Sequence, residues 1–310
     1  MTDEREPFSY WRERMAAHGF SPQRRFGQNF LLDPSLHRAI AAELGATRDD
    51  VVLEVGPGLG FLTRELLRDA GRVVAVEIDP RLRAILDEER ASFPDRGARL
   101  EVVASDVLDG DRIAPTVVDA VRAAQAAVGG RFLLAANLPY AISGPFLAQL
   151  PVLETLPQTC VLLVQSELGE RLAGATGVVD GALAALLGLT YDVRIVRRIG
   201  REVFRPRPNV DSVVIRLTAL PTAFVQWPVP DRLCFRRFLR ELFRSRRKQL
   251  RSTLTRAVTA ALGEVPAEAN AASISPALPA LSRRAEELTP SELLALFDAA
   301  VLRSRGDRRP

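Results

Sequence analysis

Two short segments carry residues from which chemistry can be built. One is Asn137-Leu138-Pro139-Tyr140. An exocyclic amine on an aromatic ring is a weak nucleophile, because its lone pair is delocalised into the ring. Two acceptors, the Asn137 side-chain oxygen and the Leu138 main-chain carbonyl, can take its two N–H groups. That holds the nitrogen in place and favours a more tetrahedral lone pair. Pro139 stiffens the turn, and the ring of Tyr140 can stack on a base. The tetrad suits in-line transfer of a methyl group from sulfonium to nitrogen, with no covalent enzyme intermediate. Taken alone it is also an ordinary turn sequence, so its position in the fold decides.

The other segment is Glu54-Val55-Gly56-Pro57-Gly58-Leu59-Gly60. Its glycines let the chain turn sharply and let a ligand approach the main chain. A dinucleotide fingerprint wants a further glycine at 61, which is Phe61. Glu77 lies 21 residues after Gly56, where an acid accepts from both ribose hydroxyls of an adenosine. Asp106 is placed to accept from the adenine amino group. An acid at Glu77 serves NAD and S-adenosylmethionine alike. The G-x-G-x-G spacing, with Glu54 ahead of it, favours S-adenosylmethionine.

Both segments need a scaffold that presents strand ends, and the pattern supplies one. Val51–Val55, Val73–Val76, Leu100–Val103, Phe132–Ala136 and Cys160–Val164 read as buried strands. Phe61–Asp69, Arg81–Glu89 and Arg112–Val128 read as helices between them. Strand–helix alternation predicts a doubly wound α/β fold with a mostly parallel sheet. Tyr191–Arg197 and Ser212–Leu217 complete it as a hairpin-like edge. The glycine loop then follows the first strand and Asn137 the fourth, at the carboxyl ends where ligands sit. After Pro221, Pro228 and Pro230 the chain reads as helix, with one long helix over Arg232–Val258. Thr289 caps a last helix that Pro290 opens. The tail after Arg303 reads as frayed.

Composition narrows the class. The chain has 310 residues, 47% hydrophobic and 26% charged, which excludes a disordered or fibrous protein. No apolar run reaches the roughly 18 residues of a membrane helix, and the start lacks the pattern of a signal or transit peptide. A cytoplasmic monomer, with no membrane association, is the expectation. Two cysteines, Cys160 and Cys234, exclude a disulfide scaffold and a four-cysteine zinc site. No Pro-Cys nucleophile lies near the tetrad. His18 and His37 both precede the first strand, and no metal site is expected. The net charge of +4 hides an uneven distribution. Seventeen basic residues between Arg194 and Arg256 face four acids, which suggests a polyanionic partner.

With these residues in place, the sequence resembles the small-subunit (16S) ribosomal RNA adenine N6,N6-dimethyltransferases from about Arg24 to Thr253. Phe26-Gly27-Gln28-Asn29-Phe30-Leu31-Leu32-Asp33 is similar to the family's G-Q-N-F-L-x-D segment, and Glu54–Gly60 to its E-x-G-P-G-x-G loop. Phe204–Ser212 is similar to its F-x-P-x-P-x-V-D-S, and Arg246-Arg247-Lys248-Gln249-Leu250-Arg251 to its R-R-K-x-L-R. The resemblance implies a Rossmann-like class I methyltransferase sheet with a smaller C-terminal all-α domain. The boundaries expected are an extension over 1–23, a methyltransferase domain over 24–220 and a basic RNA-binding domain over 221–310. Gln28, Asn29, Leu31, Glu54, Gly56, Gly58, Gly60, Glu77, Asp106 and Asn137 would hold S-adenosylmethionine. Asn137, Leu138, Pro139, Tyr140 and Phe204 would hold the target adenine, with Phe204 facing Tyr140 across the base. Arg236, Arg237, Arg240, Arg244, Arg246, Arg247, Lys248 and Arg251 would contact phosphates of small-subunit rRNA in a pre-30S particle.

The chain departs from the family pattern at two places. Gln165-Ser166-Glu167 stands for Q-K-E, and Asp180-Gly181-Ala182-Leu183-Ala184 for Y-G-R-L-S. These positions bear on RNA recognition and leave the cofactor and amine-positioning residues intact. Two alternatives remain open at this point. One is a large-subunit rRNA adenine methyltransferase of the macrolide-resistance type. The other is a non-catalytic ribosome-assembly or transcription factor on the same fold.

Overall fold

The computed structural model describes residues 8–22, 28–92, 94–174, 181–263 and 281–302. Phe26, Gly27, Asp180 and the tail from Arg303 lie outside them. The strands are β1 (Phe30–Leu31), β2 (Val51–Val55), β3 (Arg72–Val76), β4 (Leu100–Val103), β5 (Leu108–Asp109), β6 (Arg112–Ile113), β7 (Phe132–Asn137), β8 (Thr159–Gln165), β9 (Tyr191–Ile199), β10 (Phe204–Arg205) and β11 (Ser212–Ala219). The helices are α1 (Phe8–Ala17), α2 (Pro34–Leu44), α3 (Phe61–Asp69), α4 (Pro80–Ser92), α5 (Pro94–Gly97), α6 (Pro115–Val128), α7 (Tyr140–Leu147), α8 (Ser166–Ala173), α9 (Ala182–Gly188), α10 (Val229–Phe243), α11 (Leu250–Leu262) and α12 (Pro290–Phe297).

Seven strands form one sheet in the order β4-β3-β2-β7-β8-β11-β9. Pairing from β4 to β8 is parallel, and β11 runs antiparallel to β8. All five residues of β2 are buried. A strand covered on both faces must be apolar throughout, as Val51, Val52, Leu53 and Val55 are. One face packs under Leu36, Ile40 and Leu44 of α2 and Leu62 and Leu66 of α3. The chain lays down β2, β3 and β4 in one direction, then returns to place β7 on the other side of β2. That reversal opens a crevice at the carboxyl ends of β2 and β7.

Local signals set the helix ends. Asp33 caps α2 by accepting from the Ser35 N–H at 2.8 Å, Pro34 opens it, and Gly45 closes it at φ +63°. Thr289 and Glu292 form the reciprocal cap of α12. Below the sheet, Asp50 takes Nε and Nη2 of Arg131 at 3.0 and 2.6 Å. Against the cost of its burial, these bonds and those from Thr47 hold the Asp50 carboxyl down at about 2.

The structure corrects two expectations about helices. The helix expected over Arg112–Val128 starts only at Pro115, because Arg112–Ile113 pairs with Leu108–Asp109 across a turn at Gly110. The long helix expected over Arg232–Val258 is two helices, α10 and α11. Arg244, Arg246, Arg247 and Lys248 crowd like charges that a continuous helix would stack at i,i+3 and i,i+4 spacing. The chain turns there instead, with Lys248 N–H bonded to the Ser245 carbonyl at 2.8 Å and Gln249 extended at the head of α11. The two late strands stand side by side at one end of the sheet, as expected of a hairpin-like edge, with β11 next to β8 and β9 outermost.

The chain divides into two compact units. The first comprises Met1–Gln149, Thr155–Gly169 and Arg194–Thr218. The second comprises Leu150–Glu154, Glu170–Val193 and Ala219–Pro310. Where the sequence suggests one boundary after 220, the chain changes unit at several points. In the second unit α10 packs on α9, α11 and α12. Its core is a cluster of Phe224, Trp227, Phe235, Phe238 and Phe297. Among the described residues no helix is long and apolar enough to cross a membrane, and no His/Cys/Asp/Glu group is arranged to hold a metal ion. Both cysteines are buried thiols.

Candidate active site

A cavity of about 620 Å³ opens at the crevice in the first unit. The glycine loop forms its floor, and Gly56, Gly58 and Gly60 all take positive φ. At Gly58 a side chain is excluded twice over: φ is +58°, and a Cβ would stand 2.9 Å from the Phe30 ring. The Gly58 N–H donates to Glu77 Oε2 at 3.2 Å, and the Asp79 N–H to Glu77 Oε1 at 3.0 Å. Burial raises the Glu77 pKa, and these backbone donors oppose the rise. One carboxylate thus fixes the loop while facing the same cavity.

Glu54 is the lone polar residue of β2 and is wholly buried against the cavity. Burial pushes its pKa up to about 8; Thr63 pulls the other way, and the charge of Glu77 adds to the rise. Among the described residues Glu54 Oε2 has no hydrogen-bond partner. A buried acceptor left so is costly, and a ligand with positive charge would satisfy it. S-adenosylmethionine, with its sulfonium and ammonium, fits that requirement.

On the β7 side, the Asn137 Nδ2 donates to the Asn29 carbonyl at 3.0 Å. That leaves Oδ1 as the acceptor of the side chain. Leu138 is buried and its N–H bonds to the Leu163 carbonyl at 3.2 Å. Pro139 heads α7 and its carbonyl accepts from the Ser143 hydroxyl at 3.1 Å. The Tyr140 and Ser212 hydroxyls are 2.8 Å apart. Burial raises the Tyr140 pKa, and the Ser212 bond opposes the rise.

Of the residues expected from sequence, Gln28, Asn29, Leu31, Glu54, Gly56, Gly58, Glu77, Asp106, Asn137 and Pro139 all line this one cavity. Gly60 sits at the head of α3, beside it. Leu138, Tyr140 and Phe204 are not among its lining residues. Tyr140 is half-buried, whereas the Phe204 ring is fully covered. Phe204 pairs with Leu31 through β10 and β1 and shares an apolar cluster with Leu31, Ile199 and Val214. Its ring packs behind Leu31, which lines the cavity.

Other contributors carry no motif that marks them in the sequence. His37, a buried residue of α2, lines the cavity and its Nδ1 lies 2.9 Å from the Asp33 carbonyl. The first 23 residues match no motif, yet α1 packs behind the site. Trp11 is fully buried, edge-on to Phe61 with centroids 4.9 Å apart. The Arg14 and Arg64 guanidiniums lie 5.4 and 5.2 Å from its ring centre. Arg14 pairs with Glu88 and Glu89, and Arg64 with Glu89. The helix that follows the glycine loop and the helix that follows Glu77 are both tied to α1.

In the second unit, Arg237, Arg240, Arg244, Arg246, Arg247, Lys248 and Arg251 are exposed and Arg236 is half-buried. Arg244 to Lys248 lie in the turn between α10 and α11. Of the departures, Ser166 heads α8 with its N–H on the Asp211 carbonyl at 3.1 Å, and Ala182 heads α9.

A family model described as ribosomal RNA adenine dimethylase matches residues 19–278. A protein of Chlorobaculum parvum named ribosomal RNA small subunit methyltransferase A is 34% identical over 277 residues, covering 89% of this chain and 88% of that protein. The Bacillus thuringiensis protein of the same name is 38% identical over 242 residues, 77% of this chain and 78% of that one. Among solved structures, a dimethyladenosine transferase from Plasmodium falciparum aligns with TM-score 0.67 at 23% identity, covering 86% of this chain and 96% of that one. The 23S rRNA methyltransferase ErmE aligns with TM-score 0.57 at 23% identity, covering 87% and 99%. These two share the class I methyltransferase fold with this chain.

Proposed function

The chain belongs to the ribosomal RNA adenine dimethylase family, and on that premise we propose that it dimethylates N6 of adenines in small-subunit rRNA. The methyl donor is S-adenosylmethionine, which supplies an electrophilic methyl group on a sulfonium. We assign the reaction to the cytoplasm, to a pre-30S particle as substrate and to a monomer as catalyst.

The observation that carries the mechanism is the bond from Asn137 to the Asn29 carbonyl. With Nδ2 engaged, Oδ1 is the atom available to accept from the target amine. The Leu138 carbonyl takes the second N–H. Holding both fixes the nitrogen and concentrates its lone pair in line with the methyl group. After one transfer a single N–H remains, and the same acceptors hold it for the second. Tyr140 stacks on the base, with its ring anchored through Ser212. Glu77 and Asp106 bind the adenosine of the donor, and Glu54 offers its carboxylate to the positive charge. In each transfer the target nitrogen would form its N–C bond as the donor's C–S bond breaks, with S-adenosylhomocysteine as the leaving group. The methylated nitrogen would then release its extra proton to solvent, which needs neither a metal nor an ionising protein base.

The relatives named for the small subunit support that choice of substrate over the large subunit. A purely structural role in assembly has no use for an amide turned toward a cofactor cavity. The test uses small-subunit particles from cells that lack the modification, with methyl-labelled S-adenosylmethionine. Labelled N6,N6-dimethyladenosine in the small-subunit rRNA is the expected product. Label confined to large-subunit rRNA, or none with the donor bound, overturns the proposal.

A further inference from the structure

We propose that the sheet edge of the catalytic unit is a second RNA-docking surface, which grips the phosphate backbone of the substrate through β9 and the turn beyond it. This inference rests on the rRNA reading above.

β9 is the terminal strand of the seven-stranded sheet. From Arg194 onward it belongs to the unit that holds the cavity. Between Arg194 and Arg207 six arginines are exposed: Arg194, Arg197, Arg198, Arg201, Arg205 and Arg207. A single acid, Glu202, lies among them. Alternation along a strand puts Arg194, Val196 and Arg198 on one face and Arg197 on the other. At about 3.3 Å per residue, Arg194 and Arg198 are separated by about 13 Å, a span that covers several successive phosphates. Arg201 and Arg205 spend a nitrogen on neutral carbonyls, of Asn209 and of Glu202 and Phe204, and so keep their charge. Arg205 pairs across the strands with Phe30, which lines the cavity. The basic run therefore ends at the wall of the site.

Charged residues on an edge strand also discourage edge-to-edge aggregation. That role is met by either sign of charge. Phosphate gripping requires positive charge, and charge reversal separates the two.

The experiment compares wild-type protein with Arg197→Glu/Arg198→Glu, Arg197→Lys/Arg198→Lys and the single variant Arg207→Glu. Binding to purified, protein-free small-subunit rRNA is measured from about 50 to 200 mM salt. S-adenosylmethionine affinity and thermal melting serve as controls for folding. The Glu pair should bind at least about 10-fold more weakly at low salt, with the salt slope shallower by about 0.7–0.9 for each phosphate no longer gripped. KM for unmodified small-subunit particles should rise with kcat unchanged, since phosphate contacts position the RNA without doing chemistry. The Lys pair should stay close to wild type, and Arg207→Glu should lose part of the affinity. Wild-type affinity and slope in both Glu variants would overturn the assignment, whether or not they aggregate. If wild-type protein transfers no methyl group to small-subunit particles that lack the modification, it is the underlying reading that fails.

Discussion

Asn137 and Asn29 are 108 residues apart in sequence and joined by one bond, from the side-chain amide of the first to the main-chain carbonyl of the second, at 3.0 Å. The bond orients the only side-chain acceptor proposed for the target amine. Replacing Asn137 by Ala should lower the single-turnover rate by about 10²–10³, the usual cost of losing one preorganised group at a reacting centre. Asn137→Asp should fail as badly, since a carboxylate cannot donate to Asn29 and is repelled by its carbonyl. Donor binding, measured by calorimetry, should fall by far less than the rate in both. A rate within a few-fold of wild type in either variant would remove Asn137 from the mechanism.

Tyr140 and Ser212 should behave as a coupled pair. Tyr140→Phe removes one hydrogen bond, worth about 1 kcal/mol net, and leaves the buried Ser212 hydroxyl without that partner. Urea unfolding of the two single variants and of Tyr140→Phe/Ser212→Ala should give a coupling energy of about that size. Tyr140→Ala should in addition weaken RNA binding by about 1–3 kcal/mol, the worth of one stacked base. Additive effects in the cycle would deny the bond any role.

The protonation of Glu54 sets a pH dependence whose direction is fixed. Burial holds this carboxyl protonated up to about pH 8, whereas it ionises in the unfolded chain near its ordinary value of 4.5. Between those values the folded protein binds more protons, so stability falls as pH rises and levels off above about 8. The melting temperature of the donor-free protein should decline over that window, and Glu54→Gln should flatten the decline. The positive charge of S-adenosylmethionine favours the carboxylate, so binding near pH 7 should release a proton. Calorimetry in two buffers of different ionisation enthalpy reads this directly, and equal heats would contradict it.

Trp11 ties the N-terminal helix to the donor site. Trp11→Ala should cost about 3–5 kcal/mol of unfolding free energy, as deletion of a fully buried large aromatic does. Phe61 both touches Trp11 and lines the cavity. Under conditions where the variant is still folded, its Kd for S-adenosylmethionine should therefore rise. An unchanged Kd would make α1 a purely structural element.

The turn between α10 and α11 presents Arg246, Arg247 and Lys248 outside regular helix. Substituting all three by Ala should leave melting almost unchanged. It should make the salt slope of rRNA binding shallower by about 2. Equilibrium binding across a salt series decides the point, and an unchanged slope would show that these side chains do not touch phosphate.

Much of the site is legible in the amino-acid sequence alone. β2, β3, β7 and β8 are buried along nearly their whole length, and that condition writes itself as apolar runs. Glu54 stands out as the lone acid in such a run. The glycine loop and Asn137 are placed by what precedes them. The rest depends on distant partners. Two-residue strands such as β5 and β6 are too short to show a period, so Arg112 and Ile113 read as helix. Arginine and leucine favour helix equally well on either side of Arg244–Gln249, and only crowding of like charge ends α10 there. The burial of Phe204 follows from pairing with Leu31, and that of Trp11 from packing on Phe61. Neither pairing leaves a mark near the residue itself.

The chain changes compact unit five times, after Gln149, Glu154, Gly169, Val193 and Thr218. No single breakpoint in the gene separates the part that holds the methyl donor from the helical part. A single exchange near Thr218 would carry over most of a relative's helical unit but leave Leu150–Glu154 and Glu170–Val193 of the recipient inside it. A transplanted helical part would therefore have to repack against two segments it did not evolve with, so its inheritance is tied to that of the body that holds the methyl donor.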